Sequence, residues 1–296
     1  MVYRNTLKSF LQIFSLLIFI VQSAVAQDVS NQPGVSRDSL HALSKLIHHG
    51  KNDSIRISAN QIFHEEIRRL LLQPGSLNLD SLKNVSFLKS PDRSFNLLTW
   101  QLPSYKGTYT FFGYIQLLNS KVNDPVVIEL VDSTMKIVKP ESSKLSADKW
   151  YGAVYYGIIP TKKNGKNYYT LLGWKGNNSH STQKVIDVLY FSGEKQLFGF
   201  PFFKTERVYK SRVIFEYNAQ AVMSVRYEES KKMIVFDHLT AGKKNIQLSA
   251  ISGPDGTYDA FRFKNGHWEL LQDVDVNAGF TPKPGVIKPK KDHEIK

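Results

Sequence analysis

His64-Glu65-Glu66 is the stretch of this chain nearest to a metal-ligand motif, since a zinc hydrolase sets two histidines one helical turn apart with a glutamate beside the first. The second histidine is missing, because position 68 is Arg. A solvated helix face on which Glu65 pairs with Arg69 accounts for the same residues. The remaining histidines, His41, His48, His49, His180, His238, His267 and His293, fall in no ligand spacing. His48-His49 directly before Gly50 reads as the end of a helix, where the dipole favours imidazolium.

Ser181-Thr182-Gln183-Lys184 has the Ser-x-x-Lys spacing of penicillin-recognising enzymes, in which lysine assists a serine nucleophile, but the companion Ser-Asp-Asn and Lys-Thr-Gly elements are lacking. Asp273-Val274-Asp275-Val276-Asn277 alternates oxygen ligands like the opening of a calcium loop. Its glycine is displaced to 279 and no bidentate glutamate follows, so a strand end with one wet face is the simpler reading. A nucleophile elbow, a Walker loop and a dinucleotide-binding glycine fingerprint are all absent. No catalytic residue, metal site or cofactor is assigned on these grounds.

What stands out by density is aromatic. Trp150, Tyr151, Tyr155, Tyr156, Tyr168, Tyr169 and Trp174 lie within one short stretch. On a concave surface such rings stack on sugars or peptide side chains and offer polar tips. Trp150, Tyr155, Tyr168 and Trp174 are therefore the candidate ligand-binding residues, against the plainer alternative that strand aromatics fill a core. A hydrolase remains the rival reading, with a site built from distant residues. It requires His180, His238 or His267 to reach both a Ser and an Asp inside a cleft.

The elements that must position these residues change character along the chain. Leu40, Leu43 and Ile47 make one apolar helical stripe between Ser36 and His49, which Gly50 ends. A second helix fits Ser54 to Leu72, capped by Asp53, with Ile55, Ala59, Ile62, Phe63, Ile67, Leu70 and Leu71 on one side and Pro74-Gly75 after it. Residues 36–75 thus read as a helical hairpin. From about Val85 to Gly279, short runs of Val, Ile, Tyr, Phe and Trp alternate with turn residues, giving about a dozen strand candidates at spacings that favour antiparallel neighbours.

The last hairpin is specified residue by residue. Asn265-Gly266 is a preferred two-residue turn, which sets Lys264 opposite His267, Phe263 opposite Trp268, Arg262 opposite Glu269 and Phe261 opposite Leu270. Apolar and charged pairs then fall on opposite faces. At Asn164-Gly165 a two-residue loop would oppose Lys163 to Lys166 and draw Pro160 into the paired strand, so a longer loop is expected there. The predicted fold is α+β, mostly β. It has a short N-terminal helical hairpin followed by a large antiparallel β-meander, arranged as a sandwich or partly closed barrel, with a β-propeller as the alternative.

Compartment follows from the ends and from composition. Arg4 and Lys8, an apolar run from Phe10 to Val21 and the small-residue triplet Ala24-Val25-Ala26 form a cleavable secretory signal over residues 1–26, too short to span a membrane. A polar lead, residues 27–35, follows. The chain has no cysteine, which excludes disulfides, thiolate metal sites and a cysteine nucleophile. A formal charge of +13 attracts polyanions. After export, nucleic acid is not an expected partner, and a glycan, an envelope protein or an anionic envelope surface is. Residues 280–296, rich in Lys and Pro, have few apolar groups to bury and read as a disordered basic tail.

The stretch Trp150 to Val276, with Trp174-Lys175-Gly176-Asn177-Asn178, Ile234-Val235-Phe236-Asp237-His238-Leu239 and Gly253-Pro254-Asp255-Gly256-Thr257-Tyr258-Asp259, resembles a group of exported Bacteroidetes proteins of unassigned function. The resemblance implies a Gram-negative envelope setting, periplasmic or extracellular, and no functional residue. Together these readings lead to the expectation of a non-catalytic exported or envelope-associated binding protein that presents an aromatic sheet surface to a glycan or protein.

Overall fold

The computed structural model describes residues 37–73, 79, 82–118, 125–205, 208–240 and 253–275. The segments read above as a secretory signal, a polar lead and a basic tail, and Pro74-Gly75, lie outside them. The chain divides into Met1–Leu40 and His41–Lys296, and the architecture below is that of the second unit.

Among the described residues two helices come first, α1 (Arg37–His49) and α2 (Asp53–Leu71). Gly50 closes α1 by donating its N–H to Leu46 O at 2.9 Å. A Cβ there would lie 2.7 Å from that same oxygen, which is why the position takes glycine. The cap of α2 is Asn52 rather than Asp53: its side chain accepts from Ile55 N. Asp53 instead sits in the first turn, where its charge suits the dipole. Ala59, Phe63, Ile67, Leu70 and Leu71 are buried as the stripe requires, but Ile55 and Ile62 are exposed. The apolar stripe is wider than the face that packs.

Sixteen strands follow among the described residues: β1 (Val85–Lys89), β2 (Phe95–Pro103), β3 (Tyr109–Leu117), β4 (Val126–Val131), β5 (Leu145–Ser146), β6 (Val154–Lys163), β7 (Lys166–Gly176), β8 (Ser181–Ser192), β9 (Lys195–Phe198), β10 (Phe203–Lys204), β11 (Tyr209–Lys210), β12 (Val213–Asn218), β13 (Val225–Glu228), β14 (Met233–Leu239), β15 (Pro254–Lys264) and β16 (His267–Leu271). They form three sheets. The first is the meander β1-β2-β3-β4; the central one runs β5-β9-β8-β7-β6, with β12 also paired to β8; the third runs β11-β10-β16-β15-β14-β13.

The mostly β, antiparallel fold behind two N-terminal helices is as expected, and none of these sheets closes on itself into a barrel. Among the named strand pairs one departs from the antiparallel rule, the short parallel match of β10 with β16.

Layering follows from which faces are apolar. Helix α2 covers the outer face of the first sheet: Phe63 meets Trp100 edge-on at 5.3 Å, and the Trp100 indole donates to Asn60 Oδ1 at 2.8 Å. The central sheet is buried on both faces. Tyr169, Leu171, Val185 and Leu189 pack with Phe95, Leu97, Phe111 and Ile115 of the first sheet. Tyr168, Leu172, Ile186 and Val188 pack with Ile234, Phe236, Phe261 and Trp268 of the third. This is why Tyr168–Gly173 and Val185–Tyr190 are buried almost without interruption, where a half-wet strand would alternate.

The Asn265-Gly266 hairpin has the register its sequence specifies, Lys264 to His267 through Phe261 to Leu270, and Phe261, Phe263, Trp268 and Leu270 all reach one core. At Asn164-Gly165 the expected longer loop is not found. Lys163 pairs with Lys166 and Pro160 with Tyr169, both turn residues having positive φ. Strand β6 is an edge, so Pro160 removes no ladder bond. The lysines stay apart because Lys163 turns over the Phe202 ring, 5.3 Å from its centroid.

Candidate functional site

The aromatic stretch separates into core and surface. Trp150 and Tyr155 are fully buried. The Trp150 indole donates to Tyr155 OH at 3.1 Å, Tyr155 OH donates to Asp187 Oδ2 at 3.2 Å, and Arg212 Nε reaches the same oxygen at 2.7 Å with both charged side chains wholly enclosed. Burial pushes the Tyr155 hydroxyl far up in pKa, and the neighbouring Asp187 charge adds to it. Tyr168 is buried beside Phe200 and Phe202, at 4.6 and 4.7 Å. Of the four candidate residues, Trp174 alone borders an open groove.

Lys175 lies in the same interior. Its Nζ sits 4.2 Å from the Phe111 ring and 4.6 Å from that of Tyr151, and it donates to Thr134 Oγ1 at 2.8 Å and Gly152 O at 2.7 Å. Burial lowers its pKa to about 8, against a partial offset from Asp132. A lysine poised near neutrality would suit chemistry, but this one is only 2% exposed, so no substrate reaches it. It is a structural cation in an aromatic cage.

The larger depression is a cleft of about 530 Å³ where the β1–β2 turn of the first sheet meets β7 and the β8–β9 turn of the central sheet. Asp92, Ser94, Asn167, Tyr169, Phe191 and Lys166 supply its chemistry. The turn is built for placement. Pro91 presets its backbone, Arg93 N donates to Ser90 O, Arg93 adopts a positive φ, and Ser90 Oγ accepts from Ser94 N at 2.8 Å and Phe95 N at 3.0 Å. Asp92 is thereby aimed across the gap between sheets. Its Oδ2 accepts from Tyr169 OH at 2.5 Å and from Asn167 Nδ2 at 3.4 Å, while Oδ1 accepts from Ser94 Oγ at 2.7 Å.

Desolvation works to raise the Asp92 pKa, but the hydrogen bonds from Tyr169, Ser94 and Ser90 outweigh it and hold the carboxyl below its ordinary value. At neutral pH it is an exposed, fixed carboxylate. Behind it the floor is aromatic: Tyr169 stands edge-on to Phe95 at 4.8 Å and to Phe191 at 6.2 Å. The sequence signal for this site was the run Ser90-Pro91-Asp92-Arg93-Ser94, a turn with two flanking hydroxyls, which a search for catalytic spacings passes over.

The second depression, about 440 Å³, lies between edge strands β1 and β6 and is lined by Phe87, Gln101, Tyr156 and Trp174 among others. Tyr156 sits at the bulge in β6, donates to Val225 O at 2.9 Å and carries Lys184 Nζ 4.7 Å above its ring. Tyr109 meets Trp174 edge-on at 5.6 Å.

The remaining motifs resolve as structure. Ser181 and Lys184 are an odd number of residues apart on strand β8 and so point to opposite faces; Ser181 Oγ donates to Glu216 at 2.6 Å. His64 contacts Tyr114 OH and Glu129, and its neighbour pairing runs from Glu66 to Arg69 at 3.0 Å rather than from Glu65. His48 binds Ser44 O through Nδ1 with its pKa lowered, chiefly by burial, so it ends the helix as neutral imidazole and not as the imidazolium expected.

Among the described residues His180 touches Ser179, His238 touches Asp259 and His267 touches Glu269. None of these contacts joins a Ser and an Asp. No three metal-ligating side chains converge among the described residues, and no helix there is long and apolar enough to cross a membrane. Compared with known proteins, the chain matches no family model, no curated sequence and no solved structure.

Proposed function

We propose that the chain is an exported, non-catalytic binding protein of a bacterial envelope, and that the Asp92 cleft takes a polyhydroxylated ligand, a short glycan segment. The observation that carries the reading is Asp92 itself, a carboxylate locked by a turn and a tyrosine at the mouth of an aromatic-floored cleft. Sugars are recognised by planar acceptors that take vicinal hydroxyls and by rings that cover their apolar faces. Asp92 and Asn167 offer the first, the half-buried Phe191 the second, with the buried Tyr169 ring beneath it, and Lys166 adds a donor. The volume of about 530 Å³ is in the range of sites for ligands of this size.

Binding is favoured over hydrolysis by the same lining. A glycosidase flanks the scissile bond with two carboxyl groups, and Asp92 is the one carboxylate among the residues lining the cleft. The test is a glycan array followed by titration calorimetry on hits. Asp92→Ala and Phe191→Ala should each weaken binding at least about tenfold, the loss of one fixed polar or stacking contact. Equal affinity of both variants and the parent chain for every hit would dismiss the cleft as the site.

A further inference from the structure

The turn that follows β4 holds two apolar side chains almost fully in water: Met135 is 97% exposed and Val138 90%. Looseness of the turn does not explain this. Asp132 accepts from Thr134 N at 3.0 Å and from Phe111 N at 3.1 Å, Lys136 N and Ile137 N close a short 3₁₀ turn, Ser133 N donates to Trp150 O at 2.9 Å, and Ile137 packs on the core below. The turn is fixed, and Met135 and Val138 are its outermost points.

Its charge is one-sided. Lys136 and Lys139 alternate with the apolar tips and are exposed, and exposed Lys149 adjoins them through the bond from Trp150 N to Val131 O. Of the nearby carboxylates, Asp132 has the Lys175 cation behind it and Glu141 is paired with Lys210 at 2.8 Å. Asp148 remains, next to Lys149. Rigid apolar tips ringed by lysines match an interface of acyl chains under phosphate headgroups.

We infer that this turn is where the protein rests on an anionic lipid bilayer, with Met135 and Val138 entering the headgroup layer and Lys136, Lys139 and Lys149 meeting lipid phosphates. The register places it opposite the cleft. Leu117, which lines the cleft, pairs with Val126 at one end of β4, and Phe112 pairs with Val131 at the other, about 17 Å away at about 3.4 Å per residue. Docked by this turn, the protein turns its cleft to the aqueous side. The inference does not depend on what the cleft binds.

The absence of cysteine makes a direct test available. Met135→Cys and, in the cleft, Ser192→Cys are each labelled with a polarity-sensitive dye and mixed with vesicles of phosphatidylcholine alone or with phosphatidylglycerol added. The expected result is a blue shift and at least a twofold intensity gain at position 135 with the anionic vesicles, and none at position 192. In co-sedimentation, Met135→Ser/Val138→Ser and Lys136→Glu/Lys139→Glu should each lower partitioning at least tenfold, whereas Lys195→Glu/Lys204→Glu, exposed lysines elsewhere, should leave it within twofold. The inference is overturned if the parent chain does not bind anionic vesicles, if the control pair weakens binding as much as the turn variants, or if position 192 responds like position 135.

Discussion

Lys175 gives the fold a pH signature that can be worked out in advance. Its pKa is lowered from 10.5 to about 8 in the folded protein, chiefly by burial. Below pH 8 both folded and unfolded chains carry the proton, and the folded state bears the whole cost of an enclosed charge. Between pH 8 and 10.5 the unfolded chain still holds the proton that the folded chain has released, so stability rises with pH. The full gain is about 3 kcal/mol, and between pH 8 and 9.5 it is about 2 kcal/mol.

Tyrosines act in the opposite sense higher up. Burial raises Tyr151 to about 12 and Tyr155 further, and raises Tyr114, Tyr156, Tyr168, Tyr169, Tyr190, Tyr217 and Tyr227 as well, so from about pH 9 upward the unfolded chain loses tyrosine protons first and stability falls. Urea midpoints followed by the fluorescence of buried Trp100, Trp150 and Trp268 should therefore climb from pH 7.5 towards about 9 and turn over above it. Lys184 is also depressed by burial and adds to the climb. The decisive comparison is with Lys175→Met, in which most of the rise should vanish, whatever its stability at pH 7. A parent chain with flat midpoints, or a Lys175→Met variant with the same climb, would refute the reasoning.

Arg212→Met leaves Asp187 enclosed without its cation and should cost about 3–5 kcal/mol in urea unfolding, whereas Arg212→Met/Asp187→Leu should recover much of that loss, because the orphaned charge is then gone. Gly176→Ala would set a Cβ 2.4 Å from the Tyr109 ring and should cost about 1–3 kcal/mol by overpacking. Measured in a Tyr109→Ala background, the Gly176→Ala penalty should shrink, and a penalty of unchanged size would place its origin elsewhere.

Local rules were readable wherever one residue pair decides. Asn265-Gly266 determines its hairpin because only residues tolerant of positive φ fit the turn, and the flanking pairs agree face by face. Asn164-Gly165 was misread because the sequence does not show that β6 is an edge, where Pro160 and opposed lysines are tolerated. The partition into three sheets was hidden for a related reason: β7 and β8 are apolar on both faces, and a run without alternation does not say what covers it.

The site divides the same way. For Trp150 and Tyr155 residue type left ligand surface and core both open, and the structure takes the core: the polar tips that suggested a ligand are spent on Asp187 and on each other. Asp92 lies in a turn, carries no motif, and is held in place by Tyr169, far along the chain.

The central sheet has no wet face. Cut from either neighbour, it would present Leu171 and Val185, or Leu172 and Ile186, directly to water. A fragment ending between the sheets would expose one of these apolar faces, and a chain halted after β9 should be prone to aggregate. Loss of either outer layer should therefore destabilise the central sheet as well, because one of its two apolar faces would then meet water.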